Sequence, residues 1–239
     1  MSLAHRDETD NRLLSLNRDL SQMAGLVQNQ LQRVITAFES RDVVSAKQAV
    51  EEDKRIDDLY LAIDAAVLEA LTLDSLSADQ TRRVISIMKV SGELERVGDL
   101  AKNIGKRVSV ISADATLAPN IGVARMGRGS LRQFSDILTA YATENLAAAQ
   151  AVWAGDDELD VLYNSVFREI IGVLASDSSL ATTCVHLVFI AKNFERVGDH
   201  ATNIAEAVFF LQTGKAMLDQ RPKSDDTANT IINPEKFLP

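Results

Sequence analysis

Apolar side chains along the first part of the chain recur at steps of three and four. Leu13, Leu16, Leu20, Met23, Val27, Leu31, Val34 and Phe38 form one stripe, as on a long amphipathic helix. A turn is expected at Ser40–Asp42. A second stripe follows in Ile56, Leu59, Ile63, Ala66 and Ala70, and Ser75–Asp79 offers loop and N-cap residues. A third stripe runs through Val84, Ile87, Leu94, Val97, Ala101, Ile104 and Val108. Ser112–Ile121, which contains Pro119, reads as a linker. The plan then repeats, with helices expected over Arg125–Ala142, Leu146–Ala175 and Ala181–Thr213. From Lys215 periodicity stops, and Pro, Asp, Ser and Asn accumulate, which predicts a disordered tail.

The second half restates the first. Glu95-Arg96-Val97-Gly98-Asp99 recurs as Glu195-Arg196-Val197-Gly198-Asp199, and Ala101, Asn103 and Ile104 answer to Ala201, Asn203 and Ile204. Upstream, Asp53, Asp57 and Tyr60 answer to Asp156, Asp160 and Tyr163. The first copy is therefore a few residues longer between the two motifs, somewhere in Leu71–Gln80. Three amphipathic helices with short connections make an antiparallel three-helix bundle. The expected fold is all-α: two tandem three-helix bundles over residues 10–112 and 123–213, followed by a tail over 214–239.

Composition agrees with that plan. Of the 239 residues 46% are apolar but only 5% aromatic, so the core must be built from Leu, Ile, Val and Ala. All four prolines, Pro119, Pro222, Pro234 and Pro239, fall outside the stripes; one inside a helix would cost about 3 kcal/mol. The net charge of −9 argues against a nucleic-acid partner, which needs basic clusters, and favours cations or basic protein surfaces. The lone Cys184 reads as a small buried hydrophobe in a reducing compartment. The polar start, Met1 to Asp10, does not read as a signal peptide, and the apolar run Cys184–Ala191 is too short to span a bilayer. The chain is thus expected to be cytoplasmic and to meet a membrane only through partners.

Four acidic pairs share one spacing: Asp53/Asp57, Glu95/Asp99, Asp156/Asp160 and Glu195/Asp199. Residues four apart share a helix face, so paired carboxylates repel by a few tenths of a kcal/mol. A hard cation turns that cost into attraction, because Mg, Mn, Ca and iron accept carboxylate oxygens. At about 100° per residue, Glu95, Asp99 and Asn103 fall roughly half a turn from the core stripe of their helix. Asp53 and Asp57 fall roughly a third of a turn from theirs, and the second copy repeats these angles. The pairs are therefore expected to face outward in an acidic surface patch. Solvated surface charge, with Arg96 and Arg196 pairing to Asp99 and Asp199, is the metal-free reading. Gly98 and Gly198 cost about 1 kcal/mol each against Ala and point to close approach of a neighbouring helix or ligand. His200 is a possible accessory ligand, as are Asn103 and Asn203, although His200 is matched by Leu100 in the first copy. His5 and His186 suggest no chemistry.

The stretches from Glu93 to Ile104 and from Asn193 to Glu206 closely resemble the paired signature of the PhoU family. Asp53 to Tyr60 resembles its other hallmark, with a weaker echo in Asp156 to Tyr163, and Met23 to Val27 is also similar. The resemblance covers about residues 10–212. It implies a homodimer of tandem helical bundles that binds metal clusters, iron or zinc among them, through (Glu/Asp)-x-x-x-Asp motifs, here the four pairs named above. It also implies negative regulation of phosphate uptake and of the phosphate-starvation response. The implied partners are the ATPase of the phosphate ABC transporter and a membrane sensor histidine kinase. Two other classes compete with this adaptor. One is a helical scaffold without phosphate signalling. The other is a di-iron carboxylate enzyme, which would need inward-facing Glu and Glu-x-x-His motifs; no Glu here is followed three residues later by His. No catalytic residue is expected.

Overall fold

A computed structural model describes residues 3–73, 76–112, 121–217 and 223–227, with side chains from Thr9 onward and without that of Ile121. Among the described residues there are seven α-helices and no strand: α1 (Leu3–Ser40), α2 (Val43–Leu71), α3 (Ala78–Ile111), α4 (Ile121–Ala142), α5 (Leu146–Ala154), α6 (Asp157–Ser176) and α7 (Ala181–Thr213). Helices α1, α2 and α3 pack into one bundle, and α4, α5, α6 and α7 into a second. All of the linker expected around Pro119 except its end residues lies outside the described residues, as do Asp74 and Ser75.

The apolar stripes are the core. Every member of the α1 stripe from Leu13 to Phe38 is buried, as is the α3 stripe from Val84 to Val108. On α2, Ile56, Ile63 and Ala70 are buried, with Leu59 and Ala66 packed against them. Cys184 is buried as well.

The connections are set by turn chemistry, and it too is duplicated. After α1, Arg41 adopts a left-handed φ of 56°, and after α4, Glu144 adopts a φ of 50°. The next residue caps the following helix in both copies. Asp42 accepts from the backbone of Val44 and Ser45, and Asn145 from that of Ala148. Such caps satisfy amide donors that the first helical turn leaves without partners. Helix α3 starts with a capping box between Ser77 and Gln80, and α7 ends on Gly214 at φ 69°.

One element departs from the sequence plan. The single helix expected over Leu146–Ala175 is two helices, broken at Gly155–Asp156. Glycine is a poor helix former, and Gly155 stands where the first copy has Glu52. Asp53 is therefore mid-helix, whereas Asp156 sits at a helix start.

The bundles join along α3 and α7, with α1 against α4 beside them. Ser86 meets Ala207, Glu93 meets His200 and Asn203, and Arg107 meets His186 and Phe189. The partner numbers fall as those on α3 rise, so the two helices run antiparallel. Glu39 pairs with Arg128, and Gln28 donates to Ser135 at 2.9 Å, between α1 and α4.

Phe194 is fully buried on α7 and fills the space that the missing side chain of Gly127 leaves on α4. Phe194→Ala is expected to lower stability in urea denaturation by about 3–5 kcal/mol. Leu14→Ala, at a residue 67% exposed, should change it by no more than about 0.5 kcal/mol.

Candidate functional site

Each bundle carries one cluster of four carboxylates, where the second helical segment crosses the middle of the third. Glycine makes the crossing possible. A Cβ on Gly98 would lie 3.3 Å from Ile56 of α2 and 3.5 Å from Asp53 Oδ1. One on Gly198 would lie 2.8 Å from Leu159 of α6 and 3.0 Å from Gln133 Oε1. The close approach that these glycines suggested is real, and it draws the acidic pairs of two helices together.

Proximity corrects the expectation that all eight carboxylates face outward. Asp53, Asp156, Asp160 and Glu195 are buried. Asp57, Glu95 and Asp199 are partly covered, and only Asp99 is exposed, with 51% of its side chain open. The single-stripe reading fails because each helix has more than one neighbour. Helix α3 is packed by α1, α2 and α7, and α7 by α3, α4, α5 and α6, so the buried arc is wider than the stripe.

In the first bundle, Lys102 Nζ lies 2.6 Å from Asp53 Oδ2 and 3.3 Å from Asp99 Oδ1. Gln30, buried on α1, donates to Asp53 Oδ1 at 3.1 Å and to the Ala49 carbonyl at 3.0 Å. Burial and the charge of Asp53 raise the pKa of Asp57. Burial and the charge of Asp99 raise that of Glu95. The Asp53 and Asp99 carboxylates hold the Lys102 ammonium in its charged form, raising its pKa in spite of desolvation.

In the second bundle the ammonium groups come from other positions. Lys192 Nζ stands 2.9 Å from Glu195 Oε2 and 2.7 Å from Asp225 Oδ2. Lys223 Nζ is 2.8 Å from Asp199 Oδ1. Asp160 Oδ2 accepts from the backbone of Ser224 at 2.8 Å and of Asp225 at 3.2 Å. The tail expected to lack structure from Lys215 on has a described segment, Lys223–Thr227, lying over this cluster. Burial pushes the Glu195 carboxyl up to about 7, with Asp199 adding to the shift and Lys192 opposing it.

The other candidates have different roles. His200 Nδ1 lies 2.6 Å from Glu93 Oε2, and Asn203 Nδ2 donates to the same oxygen at 3.0 Å. Both thus tie α7 to α3 across the bundle interface. Burial alone would raise the Glu93 pKa, but these two bonds outweigh it and lower the value. Asn103 is exposed. The counter-ions nearest the clusters are lysines, while Arg96 and Arg196 are exposed.

Sequence reading missed Gln30, Gln133 and the three lysines. Gln30 and Gln133 are separated by the same interval as Asp53 and Asp156, a signal that was available. Lys102 follows Asp99 by three residues and Lys192 precedes Glu195 by three, the helical pairing distance. Lys223 sits in a segment without periodicity and had no signal.

Residues 20–108 and 123–208 each match the PhoU domain. The chain belongs to the PhoU family. It is 39% identical over 214 residues to a protein of Caulobacter vibrioides named phosphate-specific transport system accessory protein PhoU homolog, covering 89% of this chain and 93% of that one. It is 28% identical over 203 residues to the phosphate-specific transport system accessory protein PhoU of Escherichia coli, covering 85% and 84%. Its fold is similar to the crystal structure of PhoU from Pseudomonas aeruginosa, with a TM-score of 0.83 at 27% identity over 86% of this chain and 99% of that one. Both PhoU matches fall within the two bundles. No helix among the described residues is long and apolar enough to cross a membrane.

All eight paired side chains offer hard oxygen donors, the set that Mg, Mn or iron accept. Among the described residues, no three His, Cys, Asp or Glu side chains surround a common point. Ammonium groups hold the carboxylates instead. Lys102, bridging Asp53 and Asp99, stands where a cation would in the first bundle. The donor chemistry suits a hard metal ion, but the side chains as placed do not gather into a shell for one.

Glu195 titrates higher in the folded chain than in the unfolded one. The unfolded state loses its proton first as pH rises, so this group's stabilising contribution is present below pH of about 4.5 and is lost through about 7. Glu195→Gln should therefore flatten the fall in stability over that window. At pH 8 it should raise stability by about 2 kcal/mol, as measured by urea denaturation across pH.

Proposed function

We propose that this chain is an accessory protein of a phosphate-specific transport system. It acts by binding and not by catalysis, restraining phosphate uptake and the phosphate-starvation response. In this reading it is a cytoplasmic homodimer that touches the ATPase of the phosphate ABC transporter and a sensor histidine kinase. The observation that carries the reading is the pair of carboxylate clusters with lysines among them at equivalent places in two PhoU bundles, together with the role for which the relatives are named. Exposed Leu61 and Leu68, seven residues apart on one face of α2, supply apolar surface for a second copy.

The clusters are proposed to hold divalent or trivalent metal ions, iron or zinc first and manganese or magnesium after them. Asp53, Asp57, Glu95 and Asp99 would hold metal in the first bundle, and Asp156, Asp160, Glu195 and Asp199 in the second. A bound ion would supply positive charge that draws the two crossing helices together. Glu195 would give up its proton to a bound ion, and the lysines would yield their places. A di-iron oxidase is disfavoured by the absence of any Glu-x-x-His motif from the sequence and by the engagement of His200 with Glu93.

Deletion of the gene is expected to leave alkaline phosphatase expressed in high phosphate. Full repression in the deletion strain would favour the scaffold reading. Asp99→Ala combined with Asp199→Ala should lower iron, zinc or manganese in the purified protein, measured by elemental analysis, and unchanged content would refute the metal assignment alone.

A further inference from the structure

The duplication creates two equivalent grooves, and the chain fills one of them itself. In the second bundle the non-helical segment Lys223–Asp226 lies across α6 and α7. Asn164 donates to the Ser224 carbonyl at 2.6 Å and accepts from the Asp226 amide at 3.0 Å. The backbone N–H groups of Ser224 and Asp225 meet Asp160 Oδ2 at 2.8 and 3.2 Å. The Lys223 ammonium meets Asp199 Oδ1 at 2.8 Å, and the Asp225 carboxylate meets the Lys192 ammonium at 2.7 Å. Two helices of a PhoU bundle thus hold a short peptide segment by its amides and by two ion pairs.

The counterpart groove, between α2 and α3 of the first bundle, holds no such segment among the described residues. Asp99 answers to Asp199, with 51% of its side chain open against 25%. Asp57 answers to Asp160 and accepts no hydrogen bond among the described residues. Two replacements decide what this groove can take. Leu61, 64% exposed, stands in place of Asn164, so an apolar side chain gains there by leaving water. Gly92 stands in place of Lys192, with open space beside it, so the ammonium that Lys192 sets beside Glu195 has no counterpart on α3. We propose that the groove between α2 and α3 docks a segment of a partner protein that carries two basic side chains at alternate positions and an apolar side chain directly after the second. The first basic group takes on Asp99 the place that Lys223 has on Asp199, and consecutive backbone N–H groups meet Asp57. The second basic group enters the space beside Gly92, and the apolar side chain covers Leu61. An acidic residue at the second basic position, where the chain's own segment has Asp225, is repelled by Glu95 instead of being held by a lysine. Specificity therefore comes from repulsion as well as attraction. Docking of this kind needs no metal ion.

The full-length protein in metal-free buffer tests this with two peptides. One is acetyl-Lys-Ser-Lys-Leu-Thr-amide, and the other, acetyl-Lys-Ser-Asp-Asp-Thr-amide, has the sequence of Lys223–Thr227. Binding is read from the NMR shifts of labelled leucine methyl groups. The first peptide should shift the Leu61 methyls saturably and bind about tenfold more tightly than the second, whose aspartates meet like charge. Asp99→Asn should weaken it about threefold, the scale of a partly exposed ion pair, and Leu61→Ser about fivefold through lost apolar contact. Gly92→Lys, which the open space beside Gly92 accommodates, should reverse the order of the two peptides by installing the ammonium of the second bundle. Equal affinity for both peptides, or an order that Gly92→Lys leaves unchanged, overturns the proposal. So does the lack of any saturable shift at Leu61. A Leu61→Ser variant whose self-association falls while its peptide affinity holds gives the groove to a second copy and overturns the proposal too.

Discussion

Carboxylates one helical turn apart repel, and bringing a second such pair against them from a crossing helix multiplies the repulsion while removing the water that would screen it. Each bundle contains this arrangement at its α2–α3 or α6–α7 crossing, and its other features follow from the need to offset the charge. The glycine at each crossing lets the helices approach. The glutamine on the first helix of the first bundle reaches across to the innermost carboxylate. An ammonium stands between acidic groups in both copies. At Asp57, Glu95 and Glu195, burial, with a neighbouring carboxylate adding to it, makes the carboxyl groups hold their protons more tightly than usual.

The fold was largely legible because its determinants are local and periodic. The stripes of α1 and α3 became core without exception, and the duplication foretold even the paired αα-turns, where Arg41 and Glu144 take the same strained conformation. What could not be seen in the helical period was how many neighbours each helix has. A wheel assigns one inner face, and on α3 and α7 three or four helices share the contact. Asp53 and Glu195 lie on flanks that this extra contact closes. The break at Gly155–Asp156 was missed because periodicity continues through it, and only the lone glycine hinted at it.

The site was half legible. The acidic spacing identified which residues matter, and the glycines showed that something approaches them. Their counter-charges were harder, since an electrostatic partner needs only to reach the right point in space. Lys102 and Lys192 were within reach of helical spacing rules, but Arg96 and Arg196 looked like better partners because they sit inside the motif. Lys223 arrives from a segment with no pattern at all. The histidine was misjudged for a related reason: adjacency to Asp199 suggested a shared ligand set, yet neighbouring helix residues point about 100° apart, and His200 is aimed across the bundle interface at Glu93.

The two copies show that the constraint acts on charge and not on position. Lys102 of the first copy is matched by Thr202, a buried residue whose hydroxyl bonds the Asp199 carbonyl. Lys192 of the second copy is matched by Gly92, beside which there is open space. Neither lysine has a counterpart, yet both bundles end with an ammonium among their carboxylates. A purely structural need could have been met by replacing one acidic residue with a neutral one, since an uncharged side chain of similar size avoids the burial penalty altogether. Each bundle instead keeps its four carboxylates and sets ammonium groups among them, Lys102 of α3 in the first and Lys192 of α7 with Lys223 in the second.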